Sequence, residues 1–415
     1  MSTRTELPIL ADCPKSMIAG PCGGVFGDGG CEIAPDHGCV FLDPAEARSH
    51  GDRARLLLSP PVPSAPPAAG PVSGLDRALR RGEFAVVAEV NGTDSADASG
   101  FVAAARSIAA VATVVSVTDH SGANVHMGNV AATAHLLAAG IEVMPTFSQR
   151  DRNRIALQGD LLGVTSLGAR NILAVTGNHP RVGDTPDAKP VFDFDSPRFL
   201  RAADRLRHEG RFTNGRSVEV RPSFLLGATA HPFAPDLADR PRQVLRKVRA
   251  GADFVISQHI FDLPVWRAFV RRLNAERAHV RPFSLLGGVA ILPDEPIARA
   301  VNAGLRGFSI PEDLLTRLRQ SRDPQDTGLD IAAETVAELR AAEGVHGVLL
   351  APVTGRQNAL AASREQIELI AEVRRRAGIA VGPGTTVAAG GALPVAAVGP
   401  AVPAHPAGSL EGAAR

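Results

Sequence analysis

Glu89 is the residue of this sequence whose type and position most clearly suggest chemistry. It is the one carboxylate in the apolar run 84–90. A carboxyl group that closes an apolar strand is partly removed from water, which raises its pKa and suits it to act as a general acid. The alternative is a buried structural carboxylate paired with an arginine. A second carboxylate is missing from any obvious partner position, which argues against glycosidase chemistry.

Polar residues also follow five further apolar runs. Any one group of them is explained by a helix cap or a surface ion pair. Six polar strand ends in one chain instead predict a shared site. The groups are Thr118-Asp119-His120, residues 148–154, residues 176–180, Thr229 with His231-Pro232, and residues 258–262.

The four cysteines lie in the first tenth of the chain. Cys13, Cys22, Cys31 and Cys39 are separated by eight, eight and seven residues, unlike the paired knuckles of zinc ribbons. Four thiolates on glycine-rich loops predict a [4Fe–4S] cluster or a Zn²⁺ ion, and His37 could replace one ligand. Two disulfides are the alternative in an oxidising compartment.

The elements that position these residues follow from hydrophobic periodicity. Short apolar runs rich in β-branched residues alternate with amphipathic stretches, which is typical of repeated βα units. Eight runs predict strands at 84–90, 113–118, 141–147, 171–176, 223–229, 253–258, 280–286 and 346–351. Stretches such as 101–110, 129–139, 152–167, 242–250 and 334–342 predict helices between them.

This alternation predicts an α/β fold in which residues 83–352 form a (β/α)8 TIM barrel, with its active site at the carboxyl ends of the strands. An open doubly wound sheet is less suitable, because no three-glycine fingerprint follows the first strand. We expect a small cysteine-rich metal-binding segment at 1–55, a proline-rich linker at 56–75, the barrel at 76–380 and a disordered tail at 381–415.

Composition excludes several classes of protein. The formal net charge is +1 and no apolar run is long enough to cross a bilayer, which argues against nucleic-acid and membrane partners. The amino terminus has no apolar core of a signal peptide, so we expect a cytoplasmic protein.

Taken together, these motifs resemble the methylenetetrahydrofolate reductase family, over about 270 residues of predicted barrel. The stretches that carry the resemblance are residues 149–163, 168–177, 191–196, 250–258 with Lys247 ahead of them, and Phe261-Asp262. Residues 13–24, 30–32 and 39–41 resemble a cysteine-rich domain that accompanies such reductases in some bacteria. There it usually follows the barrel or sits on a partner subunit, whereas in this chain it comes first.

The resemblance implies reduction of 5,10-methylenetetrahydrofolate to 5-methyltetrahydrofolate, with hydride passing through FAD from NADH or another electron donor. By this resemblance Glu89 is the acid, and Gln258, Asn178 and Phe261 contact the reduced folate. The resemblance is also compatible with a redox partner protein and with a homo-oligomer. The residues expected to contact the flavin are Thr118, Arg150, Asp151, Thr176, Gly177, Asp195 and Lys247.

The sequence departs from the family pattern at two places that usually lie beside the flavin. Asn178 stands where the family usually has an aspartate, and Thr146-Phe147 follow Pro145 where it often has a histidine. These departures keep two alternatives open: a flavin-independent enzyme of folate one-carbon chemistry, and a non-catalytic folate-binding partner subunit. The presence of Glu89 and Gln258 favours catalysis.

Overall fold

The computed structural model describes residues 12–18, 20–43, 70–235, 237–304, 309–353 and 364–379. Within them, eight parallel strands pair in chain order and close into a barrel, with β8 pairing to β1. The strands are β1 Ala85–Val90, β2 Val114–Val117, β3 Val143–Ser148, β4 Asn171–Val175, β5 Leu225–Ala230, β6 Phe254–His259, β7 Ser284–Ile291 and β8 Val345–Pro352. The predicted (β/α)8 barrel is confirmed.

Helices surround this barrel. Those of the described ranges are α1 Gly74–Arg80, α2 Ser99–Ala109, α3 Asn129–Ala138, α4 Arg154–Ser166, α5 Ser196–Glu209, α6 Arg240–Arg249, α7 Leu263–Glu276, α8 Glu295–Gly304, α9 Glu312–Gln320, α10 Pro324–Ala341 and α11 Arg364–Arg376. Local sequence sets their ends. Asn153 caps α4 by accepting the backbone N–H groups of Ile155 and Ala156, and Gly168 beyond its end has φ +112°.

The barrel interior is filled by alternate residues of each strand, because successive side chains point to opposite faces. Inward-facing apolar residues such as Val87, Met144, Phe254 and Leu286 form one buried cluster. Leu75 of α1 joins this cluster from below and is fully buried. Full burial of a leucine side chain contributes about 1.5–3 kcal/mol, so α1 both closes and stabilises the amino-terminal end of the barrel.

The outward faces of the strands pack against the helices in a second, larger core, which includes Phe199, Trp266 and Leu339. A strand that is buried on both faces appears in the sequence as a nearly continuous apolar run. The strands of this barrel are therefore well predicted from the sequence. None of the helices in the described ranges is both long and apolar enough to cross a membrane.

The cysteine-rich segment, residues 12–18 and 20–43, has a small core of its own that includes Met17, Val25 and Phe41. Isolated antiparallel bridges join Val25 to Cys31 and Gly30 to Gly38. The segment lies on the carboxyl end of the barrel, where the N–H of Ile18 donates to Asp195 at the start of α5.

The predicted domain boundaries stay predictions. Most of the predicted linker, up to residue 69, lies outside the described residues, as does the whole predicted tail at 381–415. The last residues of the predicted linker include Gly74, where α1 begins, so helical structure starts earlier than the sequence indicates.

Candidate active site

Glu89 stands at the top of β1 on its inward face. It continues the alternation of Ala85 and Val87, whose side chains fill the barrel interior. Its carboxyl group lines a cavity of about 360 Å³ at the carboxyl end of the barrel. Burial raises the pKa of Glu89 to about 7, and no ion pair to it is found within the described part of the chain. Near neutral pH the group therefore holds a proton for much of the time.

Gln258 reaches the same cavity from β6 for the same geometric reason. Phe254 and Ile256 lie in the barrel interior, and Gln258 is the next inward position. Phe261 does not reach the cavity. The register with β7 shifts between Ile256 and His259, and Phe261 beyond this irregularity packs in an apolar cluster with Ala290 and Leu292.

Five of the residues predicted to contact a flavin line the cavity: Thr118, Arg150, Thr176, Gly177 and Lys247. Most of them also make contacts within the protein. Thr118 donates to the side-chain oxygen of Asn91 at 3.0 Å. Arg150 is buried and donates to the carbonyls of Asn178 at 3.3 Å and His120 at 3.1 Å, so it ties together the loops that follow β2 and β4. Asn178 is exposed on the cavity side.

Asp151 and Asp195 are outside the set of residues that line the cavity. Asp151 is an exposed partner of Arg150. Asp195 is fully buried, and it caps α5 by accepting the N–H of Arg198 at 3.0 Å and accepts the N–H of Ile18 at 3.1 Å. The role that the structure gives Asp195 is to hold the cysteine-rich segment on the barrel.

Lys247 extends from α6 into the cavity and donates to the carbonyl of Thr229 at 2.6 Å. Burial lowers the pKa of Lys247 to about 8, against the attraction of Asp195. The contact with Thr229 uses one of the three N–H donors of the ammonium group. The lysine is therefore able to bind an anion in the cavity.

The cysteine-rich segment supplies one side of this cavity, which the sequence did not predict. Lys15, Cys22, Gly23, Gly24 and Glu32 all line it. The signal was present in the sequence, because Lys15 and the glycine pair lie inside the cysteine motif. Their contact with the barrel depends on tertiary packing between residues more than 150 positions apart, which no local pattern reveals.

None of the four cysteines, all of which lie in the described residues, forms a disulfide bond. Burial raises the pKa of the Cys13 thiol to about 11 and the pKa of the Cys39 thiol to about 12. Among the residues that the structure describes, no three His, Cys, Asp or Glu side chains form a group that could hold a metal ion. The assignment of Cys13, Cys22, Cys31 and Cys39 as ligands of a metal ion or cluster therefore stays a prediction.

A closed (β/α)8 barrel with an acid on one strand end, an amide on another and a cationic rim defines the protein as an α/β barrel with an enzyme-like site. The methylenetetrahydrofolate reductase family matches residues 75–359, and the chain belongs to this family. Residues 2–60 match a second family, described as methylene-tetrahydrofolate reductase C terminal. No curated protein sequence matches the chain.

Two solved structures are similar to this chain. An uncharacterized protein from Clostridium thermocellum that binds two copies of 5-methyl-5,6,7,8-tetrahydrofolic acid is 13% identical, with a TM-score of 0.51, and the match covers 74% of this chain and 100% of that one. Riboflavin lyase with modified FMN and riboflavin is 12% identical, with a TM-score of 0.45 and coverage of 73% and 94%. At 13% identity the likeness to the Clostridium thermocellum protein concerns the fold alone.

Proposed function

We propose that this protein reduces 5,10-methylenetetrahydrofolate to 5-methyltetrahydrofolate. The observation that carries the proposal is Glu89, an acid whose pKa burial raises to about 7 in a cavity that it shares with Gln258. Membership of the reductase family supports the same reaction class.

The reaction requires one acid and one hydride donor. Opening the methylene bridge breaks the bond from the methylene carbon to N10, which takes a proton, and leaves an iminium carbon that accepts the hydride. Glu89 supplies the proton, because a carboxyl group with a pKa near neutrality combines a high protonated fraction with sufficient acidity. The amide of Gln258 both donates and accepts hydrogen bonds, which matches the mixed edge of a pterin ring.

FAD is the proposed hydride carrier, and when bound it would supply the hydride at the cavity. Thr118, Thr176 and Gly177 would contact it, and Arg150 and Lys247 would offset its negative charge. The donor set suits such a ligand, because Lys247 is half-buried in the cavity and its contact with Thr229 uses only one donor. Asp151 and Asp195 are left out of this proposal, since their carboxylates are engaged elsewhere.

An absorption spectrum of the purified full-length protein tests the cofactor. We expect flavin bands near about 450 nm, retained after gel filtration of protein reconstituted with FAD. Titration with 5-methyltetrahydrofolate should perturb these bands, because both ligands would share one cavity. Protein that retains no flavin after reconstitution would remove FAD from the proposal and favour direct hydride transfer from a nicotinamide.

The pH dependence of turnover tests the acid. Since Glu89 acts in its protonated form, kcat/KM should be level below about pH 6 and fall about tenfold per pH unit above about pH 8. The measurement is kcat/KM from about pH 5.5 to 9, with thermal melting followed over the same range to separate catalysis from unfolding. A profile that rises through neutrality would contradict a general acid at this position.

A further inference from the structure

Lysine is rare in this chain, and its placement is informative. Only three of the 44 basic residues are lysines: Lys15, Lys189 and Lys247. Lys189 is exposed, whereas Lys15 and Lys247 line the same cavity. A lysine presents a compact point charge that an arginine does not reproduce. Two of the three lysines of the chain therefore line the cavity, one from the barrel and one from the cysteine-rich segment.

Lys15 is held in a defined position above β4. Its ammonium group is ion-paired with Glu32, donates to the carbonyl of Gly177 at 3.1 Å and lies 5.9 Å from the centre of the Phe192 ring. The side chains of both Lys15 and Glu32 are almost fully buried. Phe192 has φ +40°, a conformation that is costly for a residue with a side chain and that needs support from its surroundings.

The segment that carries Lys15 is fixed on the barrel by several contacts. Besides the bond from Ile18 to Asp195, the guanidinium of Arg198 donates to the carbonyl of Ser16 at 2.9 Å. Gly23 packs directly on His231 at the end of β5, where an added Cβ atom would lie 1.9 Å from the imidazole ring. These contacts fix the position of Lys15 relative to the ends of β4 and β5.

Burial of an ion pair is a weak source of stability, because the desolvation of both charges offsets their attraction. The Lys15–Glu32 pair is better explained by what it presents to the cavity. Its contacts with Glu32 and Gly177 use two of the three N–H donors of Lys15 and leave one for a ligand. Because Glu32 already balances the charge, a neutral carbonyl oxygen suits this donor better than a second anion.

We propose that the cysteine-rich segment is part of the substrate site and that Lys15 positions a ligand by donating to a ring-amide carbonyl of a heterocycle bound against Gly177 and Asn178. Pterin and isoalloxazine rings both carry this group. The inference rests on the proposed function, which places one or both of these rings in the cavity.

The test compares two variants of the full-length protein that differ only at position 15: Glu32→Gln and the double variant Lys15→Met with Glu32→Gln. Both variants lack the Glu32 carboxylate, so removal of Lys15 does not leave that buried carboxylate without its partner. Isothermal titration calorimetry measures the binding of 5-methyltetrahydrofolate and, separately, of FAD. Lys189→Met is the control for removal of an exposed lysine, and thermal melting checks that each variant is folded.

We expect the double variant to bind at least one probe about 10- to 100-fold more weakly than Glu32→Gln, the effect of one hydrogen bond from a charged donor. The weakened probe identifies the ring that Lys15 contacts, and Lys189→Met should bind both as the wild type does. If Glu32→Gln weakens binding as much as the double variant, the pair is structural and the proposal fails.

Equal binding of both probes by the two variants overturns the role of Lys15 in the same way. Failure of the proposed function gives a different result. A wild-type protein that binds FAD but no reduced folate would refute the reductase proposal, while the FAD titrations would still decide the role of Lys15. A wild-type protein that binds neither probe would overturn both.

Discussion

Glu89→Gln should lower kcat by about 10²- to 10⁴-fold, the usual contribution of a general acid, and leave the affinity for 5-methyltetrahydrofolate nearly unchanged. Glutamine keeps the shape and hydrogen-bonding capacity of the side chain but has no proton to give to N10. The loss should therefore fall on kcat rather than on binding. Single-turnover kinetics measure the chemical step, and calorimetry measures the affinity.

The matched control is Glu83→Gln, because Glu83 is an exposed carboxylate just before β1, at the opposite end of the barrel. It should leave kcat unchanged. Wild-type turnover in Glu89→Gln would remove Glu89 from the mechanism.

The same substitution should change how stability depends on pH. The pKa of Glu89 is raised from 4.5 to about 7 in the folded protein, so the native state binds the proton more tightly than the unfolded state does. The stability due to this proton is fully present below about pH 4.5 and is lost as pH rises through about 7. The melting temperature of Glu89→Gln, measured relative to that of the wild type, should therefore rise as the pH is raised from about 5 to 8.

Arg207→Met should lower the free energy of unfolding by about 3 kcal/mol, because it breaks two partly buried ion pairs, while Asp253 keeps Arg281 and Asp204 keeps His208 as partners. Arg207 lies in α5 with its side chain only 7% exposed, between Asp204 and Asp253. It also donates to the carbonyls of Phe224 and Gly251, both at 2.9 Å. One guanidinium thus links α5 to the segments that lead into β5 and β6.

Urea denaturation followed by circular dichroism measures this loss as a lower midpoint. Arg205→Met is the control, since Arg205 lies one half-turn away in the same helix and pairs with Glu209 at the surface, where such pairs contribute at most about 1 kcal/mol. Equal midpoints for the two variants would contradict the role assigned to Arg207.

Much of the fold could be predicted because buried parallel strands leave a strong local signal. All eight apolar runs overlap observed strands. The largest shift is in β7, which begins at Ser284 rather than four residues earlier, after Pro282. Proline lacks the N–H group that a central strand needs, so the strand starts beyond it. The helix α1 was missed, because seven residues beside a proline-rich stretch carry little periodicity.

The site was predictable only where it follows from alternation along a strand. Glu89 and Gln258 continue the inward faces of β1 and β6, so their convergence could be inferred from position alone. The position of Phe261 could not be inferred in this way. The pairing with β7 is irregular after Ile256, which breaks the alternation of inward and outward side chains. Asp195 and Lys15 depend on how the cysteine-rich segment packs on the barrel, which is information that neither segment carries separately.

The contacts that hold the cysteine-rich segment on the barrel join residues 162 to 182 positions apart. During synthesis on the ribosome, the segment emerges long before α5 and α6 exist to receive it. The segment therefore lacks its docking surface on the nascent chain until Asp195, Arg198 and the residues around Gly177 have been synthesised. The side of the candidate site that Lys15 and Gly23 supply can therefore be completed only after these parts of the barrel exist.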